Sequence, residues 1–480
     1  MITEAQQHHR MTTHPVWKLI CRLAVPTVIS MLVTSVYNMA DTYFVSRLGT
    51  SATGAVGVVF SLMAIIQAIG FTLGMGAGNV VSRLLGEKKI DEAQRIGSTA
   101  FYVSLVCGAL MSVFGVVFVG GVVDLLGASE SIRPYAASYA RYVLYGAPVM
   151  TASFVLNNVL RAQGRAVAAL LGIGFGGLLN IGLDPLFIFT FDMGISGAAI
   201  ATLISQCVSF LILLACFIFG KTTVKLSIFK ISKKTREHLL IWRTGFPSLC
   251  RQGLASIATI MLNRAAGEYG DAAIAAISVV GRVAMLIGSV MVGFGQGFQP
   301  VAGYNYGAKK YDRVVKSFHF TLWFGVALMA VLSLICFFVS KPIIGAFESD
   351  DPAVIQIGVY ALRANLVVFP VHAIIIVGNM TFQSLGKPLP ATILSCLRQG
   401  FCFIPLLFIL PPWLGLKGVQ FAQPVADVLS AIVTLPMTIW FIRKVAKMQG
   451  KEVEVSAENF KEMQEESTQM VEDATQTKAD

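Results

Sequence analysis

Residues 74–89 read GMGAGNVVSRLLGEKK, and residues 295–310 read GQGFQPVAGYNYGAKK. Gly74, Gly76, Gly86, Lys88 and Lys89 of the first stretch return as Gly295, Gly297, Gly307, Lys309 and Lys310 of the second, an offset of 221 (295 − 74). Working outward, Pro26 recurs as Pro247 (247 − 26 = 221), Asn157 and Gly164 as Asn379 and Gly386 (379 − 157 = 222), and Gly194 and Gly197 as Gly415 and Gly418 (415 − 194 = 221). A chain that matches itself in this way is two copies of one structural unit. Duplicated halves made of long apolar segments are the usual build of a secondary transporter, with the substrate path between the halves. The glycine runs resemble phosphate loops only in outline. Neither ends in Gly-Lys-Ser or Gly-Lys-Thr, and close packing of helix ends accounts for them.

Composition names the solvent. Of the 480 residues 55% are hydrophobic and 13% charged, with a mean hydropathy of +0.71, so most of the chain faces hydrocarbon. A helix needs about 20 apolar residues to cross a bilayer. Such stretches fall at 17–45, 53–80, 97–123, 134–160, 166–190 and 196–220, and again at 240–264, 272–302, 317–340, 354–384, 388–412 and 418–443. They are unbroken rather than alternating, which excludes a membrane β-barrel. The expectation is an all-α polytopic membrane protein, twelve transmembrane helices in two pseudo-symmetric six-helix lobes. The N-lobe would be 17–220, a linker 221–239, the C-lobe 240–443, with tails at 1–16 and 444–480. Residues 1–16 are polar and hold no apolar core of a cleavable signal peptide. Residues 450–480, rich in Glu, Gln and Thr, read as a frayed helix or a disordered tail. The eight cysteines (21, 107, 207, 216, 250, 336, 396 and 402) lie in or beside spans without metal spacing and read as small core residues.

Loop charge orients the chain. The connections between spans 2 and 3 (Arg83, Lys88, Lys89, Arg95), 6 and 7 (Lys221, Lys225, Lys230, Lys233, Lys234, Arg236) and 8 and 9 (Lys309, Lys310, Arg313, Lys316) are basic, whereas the alternate loops are poor in Lys and Arg. Both termini are expected in the cytoplasm of a cell whose inner (plasma) membrane holds the protein. The net charge of +11 then reflects topology and contact with anionic membrane lipids, not nucleic-acid binding.

Acids inside spans mark function, because a carboxylate at mid-membrane costs roughly 2.5–3.5 kcal/mol on insertion scales. Asp41 lies on span 1, where Thr34, Asn38 and Asp41 line one helical face. Asp184 lies on span 5 with Asn180 one turn earlier, and Pro185 frees the carbonyl of Ile181 from the helical ladder. Counted along each helix, Asp41, Asp184 and Thr202 reach similar depths in the outer half of the bilayer.

The runs LAVPTVISMLVTSVYNMADTYFVSRLG (23–49), GAGNVVSRLLGEKK (76–89), LNNVLRAQG (156–164) and LLNIGLDPLFIF (178–189) together resemble the multidrug and toxic compound extrusion (MATE) family over nearly the whole chain. The resemblance is to bacterial branches with an Asp on span 1 and an Asn/Asp pair on span 5. It implies a V-shaped pair of lobes that exports small organic compounds, often cationic drugs, in exchange for inward Na+ or H+, with no organic cofactor and as a monomer. It further implies that the N-lobe cation site falls on Asp41, Asn180, Asp184 and Thr202, with Asn157 nearby, and that span 1 bends at Pro26. The residue chemistry agrees with either ion. Na+ prefers oxygen ligands such as these, and two close carboxylates readily share a proton instead.

The second half departs from the family pattern. Some branches carry a carboxylate eight residues after the span 7 proline; here that position is Ala255. Instead Arg251-Gln252-Gly253 and Arg398-Gln399-Gly400 repeat one tripeptide on spans 7 and 11. The two arginines are read either as paired with carbonyls or with Asp427, or as contacts to anionic or carbonyl parts of a substrate. Tyr37, Asn38, Arg251, Gln252, Arg398 and Gln399 are the candidate substrate contacts. Two other readings are weaker. A flippase of lipid-linked precursors would have a cavity dominated by basic residues and more than twelve spans. An intramembrane enzyme would need a nucleophile–base pair or a metal cluster within the spans, and His372 of span 10, without an evident partner, reads as a packing residue.

Overall fold

The computed structural model describes residues 4–220, 222–347 and 351–476. Lys221 of the basic linker and residues 477–480 of the C-terminal segment lie outside them. Among the described residues the chain is helical, without strands. Span 1 is Val16–Ser46, span 2 Thr50–Gly86, span 3 Ile90–Val117, span 4 Arg133–Ala162, span 5 Ala166–Thr190 and span 6 Gly194–Ile218. In the second half span 7 is Thr235–Gly267, span 8 Asp271–Gly307, span 9 Tyr311–Phe338, span 10 Pro352–Ser384 and span 11 Pro388–Leu414. Span 12 opens a continuous helix, Leu416–Gln476, which runs on through most of the segment whose composition suggested a tail.

Eleven of these helices are long and apolar enough to cross a membrane. Span 7 falls short on hydropathy alone. It is 33 residues long but carries Arg236, Arg243, Arg251 and Arg264. It repeats the place of span 1, with Pro247 inside the helix where span 1 has Pro26. The architecture is therefore the twelve-helix, two-lobed one that the repeat implies.

Spans 2 and 8 extend beyond the apolar stretches 53–80 and 272–302, ending at Gly86 and Gly307. Their polar last turns survive because protein rather than lipid surrounds them. Both close on the same turn. Lys88 and Lys309 adopt φ of 61° and 58°, uncommon for residues other than glycine. The amides of Lys89 and Lys310 then return to the carbonyls of Leu84 and Asn305, each at 2.9 Å. These turns, with the linker, form the basic face.

The lobes meet along the half of the molecule nearest that face. A side chain at Gly86 would run into the carbonyl of Tyr304, and one at Gly307 into the carbonyl of Arg83. Since 304 − 83 is again 221, the contact is reciprocal and marks the axis relating the copies. Arg83 Nη1 donates to the Ser384 carbonyl at 3.0 Å. Arg161 of span 4, 5% exposed, donates to Gln296 Oε1 of span 8 and, at 2.7 Å, to Asn158 Oδ1. Ser35 and Ser289 join spans 1 and 8 through their hydroxyls at 2.8 Å, at the middle of span 8.

Candidate functional site

Four spans of the N-lobe converge on the expected acids. Span 5 comes close to its neighbours through small residues: a side chain at Gly177 would meet Val33 and Tyr37 of span 1, and one at Gly176 would meet Ser205 and Ser209 of span 6. Beyond this approach, Tyr139 of span 4 donates its hydroxyl to Asp41 Oδ2 at 3.2 Å and lies beside Thr202. Asn180 Nδ2 donates to Asp184 Oδ1 at 3.2 Å and to Thr202 Oγ1 at 3.3 Å. A polar cluster thus runs from Asp41 and Tyr139, past Thr202 beside them, to Asn180 and Asp184. Asp184 is fully buried, and Tyr139, Asn180 and Thr202 are 1%, 2% and 8% exposed. Four buried oxygens in and beside this cluster have no hydrogen-bond partner: Asp41 Oδ1, Asn180 Oδ1, Asp184 Oδ2 and Ser205 Oγ. Just past Asp184, span 5 leaves α geometry for a π-helical turn, Leu186–Thr190, a distortion common at functional sites.

The set offers two carboxylates, an amide oxygen and hydroxyls, oxygen ligands of the kind a hard cation takes, and the same two carboxylates could share a proton instead. Tyr37 is buried beside it and reaches Gln206 of span 6. Asn38 is half-buried on span 1, and its carbonyl accepts from Thr42 Oγ1 at 2.9 Å. Pro26 is buried inside span 1, its carbonyl taken by Ser30 Oγ at 3.0 Å. Asn157 does not join the cluster, contrary to expectation. It lies 18 residues (157 − 139) beyond Tyr139 along span 4, about 27 Å of helix rise. There its Nδ2 donates to the Ala169 carbonyl at 3.1 Å, a bond that Asn379 repeats with Ala391 at 2.7 Å. Its recurrence in both halves reflects packing of spans 4 on 5 and 10 on 11.

The C-lobe holds a second polar cluster. Span 11 opens into a π-helical turn, Leu397–Phe403, from which Arg398 grips Asp427 of span 12 with two bonds, Nε to Oδ1 at 2.7 Å and Nη2 to Oδ2 at 3.2 Å. Gln423 Nε2 adds a third bond to Oδ1 at 2.7 Å. His372 of span 10 packs beside Gly288 of span 8 with its ring 5.9 Å from that of Phe369, and its buried Nδ1 has no partner. Gln399 Oε1 is likewise buried and unpartnered. Cys250 touches Cys396 and Leu254 packs at Gly400, so Arg251 and Gln252 stand level with Arg398. Among the described residues no carboxylate pairs with Arg251, whereas Asp427 holds Arg398.

The sequence profile of the MatE family matches residues 26–186 and again 247–409, once in each lobe. The chain belongs to the MATE family. Among its relatives, the multidrug export protein MepA of Staphylococcus aureus (strain NCTC 8325 / PS 47) is 27% identical over 442 residues, 91% of this chain and 96% of MepA. A MATE structure solved in complex with MaL6 superposes with a TM-score of 0.88 at 26% identity, covering 91% of this chain and 99% of that one. An outward-facing multidrug-resistance MATE transporter superposes with a TM-score of 0.87 at 26% identity, over 91% and 98%. As a MATE protein the chain is a membrane transporter and not an enzyme.

Within this MATE framework two residues of the candidate site escaped the sequence reading. Tyr139 and Ser205 are common, neutral residues in apolar runs. Depth could have found Tyr139, six residues into span 4, and helical spacing could have found Ser205, three residues after Thr202. His372, expected to be a packing residue without a partner, is that: its ring lies against Phe369 and its Nδ1 has no partner.

Proposed function

We propose that this MATE protein is a cation-coupled antiporter that exports small organic compounds, many of them cationic drugs, by alternating access across the plasma membrane, with its basic face and both termini in the cytoplasm. The observation that carries the reading is the cluster of Asp41, Tyr139, Thr202, Asn180 and Asp184 with its unpartnered oxygens. Inward-moving Na+ or H+ is the coupling ion and no organic cofactor takes part. Either ion neutralises the two acids: Na+ by taking the free oxygens as ligands, a proton by sitting on one carboxylate. An occupant that favours one lobe arrangement and competes with the drug yields exchange, because coupling requires differential affinity between states. Pro26, which interrupts the amide ladder of span 1, is where that helix bends as the site changes occupancy.

Substrate lies between the lobes, against Tyr37 and Asn38 on one side and Arg251, Gln252 and Gln399 on the other. Arg398 is tied to Asp427, so Arg251 is the cation free to meet an acidic or carbonyl group of the substrate. One chain supplies both lobes and the whole cation cluster, and the monomer is the working unit. The multidrug-export names of the relatives favour this reading over a lipid-precursor flippase.

The test is export of a fluorescent cationic dye from proteoliposomes under an imposed Na+ gradient and, separately, a pH gradient. Export driven by one gradient and lost in Asp41→Asn is the expected result. Export driven by neither gradient, or left intact in Asp41→Asn, overturns it.

A further inference from the structure

Ahead of span 1 a ten-residue helix, Glu4–Thr13, lies across the basic face and touches both lobes. On the N-lobe side Gln7 Nε2 donates to the Gln163 carbonyl at the end of span 4, and Gln7 Oε1 accepts from Thr223 Oγ1 at 3.0 Å. Met11, 4% exposed, packs beside Gly164. On the C-lobe side His8 Nδ1 meets the Tyr304 hydroxyl at 3.1 Å. Past Arg10, whose carbonyl accepts from the His14 amide at 3.3 Å, the carbonyl end of the helix is capped from the C-lobe. Asn305 Nδ2 donates to the Met11 carbonyl at 3.2 Å, Lys310 Nζ to that of Thr12 at 3.2 Å, and Arg313 Nη2 to that of His14 at 2.6 Å. Cationic donors at a helix C-terminus also meet the negative end of its dipole.

This helix is covalently part of the N-lobe, through Pro15 and span 1, yet the C-lobe satisfies its last carbonyls. It therefore bridges the end of the molecule where Gly86 and Gly307 bring spans 2 and 8 together. Separating the lobes at the basic face would strip Met11, Thr12 and His14 of their donors. We propose that Glu4–Thr13 is a strap on the cytoplasmic face that holds the basic ends of the lobes closed and must let go of the C-lobe before they part, so that its docking favours the outward-open state. The proposal rests on the alternating-access reading above.

The experiment is hydrogen–deuterium exchange of the full-length chain, with Gln7→Ala and Arg313→Gln beside wild type. Gln7→Ala changes the strap alone and leaves every residue of the lobes in place. In wild type the strap amides should be protected. Both variants should speed exchange in residues 4–14 by about fivefold per hydrogen bond lost, and also in residues 241–248 of span 7, which share no hydrogen bond with the strap and pack on span 2. Faster exchange at 241–248 reports parting lobes and not merely a loosened helix. A strap unprotected in wild type, or strap release with 241–248 unchanged, overturns the proposal. Dye export is recorded on the same samples. Wild type that exports under neither gradient sinks the exporter reading, while the exchange data still judge the strap.

Discussion

Asp41 and Asp184 each keep one buried oxygen without a donor. A lone unsatisfied polar atom costs about 1–3 kcal/mol, more if charged. The Arg398–Asp427 pair solves the same problem differently, with every Asp427 bond supplied from within the lobe. Removing one member exposes how much depends on the other. Asp427→Leu should lower stability by about 3–5 kcal/mol by stranding a partly buried guanidinium, read as a fall in Tm in detergent. The double variant Arg398→Leu/Asp427→Leu should recover most of that loss. The acids, Asn180 and Thr202 were legible in the sequence because polar residues are conspicuous inside apolar spans. Tyr139 and Ser205 were not, because each acquires its role only from neighbours on other helices. Asn157 misled for the opposite reason: a polar residue in a span answered to a backbone carbonyl.

Among elements, the crossing of spans 2 and 8 sets how closely the lobes approach. Gly307→Ala would push a methyl group into the Arg83 carbonyl, and overpacking of this kind costs about 1–3 kcal/mol. The expected outcome is a lowered Tm, with Gly281→Ala on the same helix, where an added methyl group meets nothing within 4 Å, leaving it unchanged. The repeat made this crossing readable in outline, since both glycines sit in the matched stretches. Helix ends were less readable. Hydropathy stops at the last lipid-facing residue, whereas spans 2 and 8 continue through Ser82, Arg83 and Asn305 into protein surroundings. The π-helical turns of spans 5 and 11 left no signal in the sequence beyond the prolines that adjoin them, Pro185 before the one and Pro405 after the other.

For the whole molecule, pH acts on the closed basic face through His8. Partial burial, foremost, and then the charges of Lys88 and Lys310 hold its imidazole below the ordinary value of 6.5, against an opposing contact with the Leu85 backbone; the Tyr304 hydroxyl completes its surroundings. A depressed histidine favours its neutral form in the docked state. Docking is thus at full strength above about pH 6.5 and weakens as pH falls below it toward the lowered value. Amide exchange in residues 4–14 at pH 7.5 and 5.5, corrected for intrinsic rates, should show the loss, and His8→Gln should abolish the pH dependence.

The bond from Arg161 to Gln296 bears on the history of the duplication. Position 296 corresponds to Met75 (296 − 75 = 221), and Arg161 corresponds to Gln383 (383 − 161 = 222). Two N-lobes paired as an ancestral homodimer would set Met75 before each buried Arg161 and leave both guanidiniums without that acceptor. Two C-lobes would lose the arginine altogether. At this contact the copies are no longer interchangeable: the seam between the lobes is built from one residue of each kind, and either half paired with itself would lack one of the two.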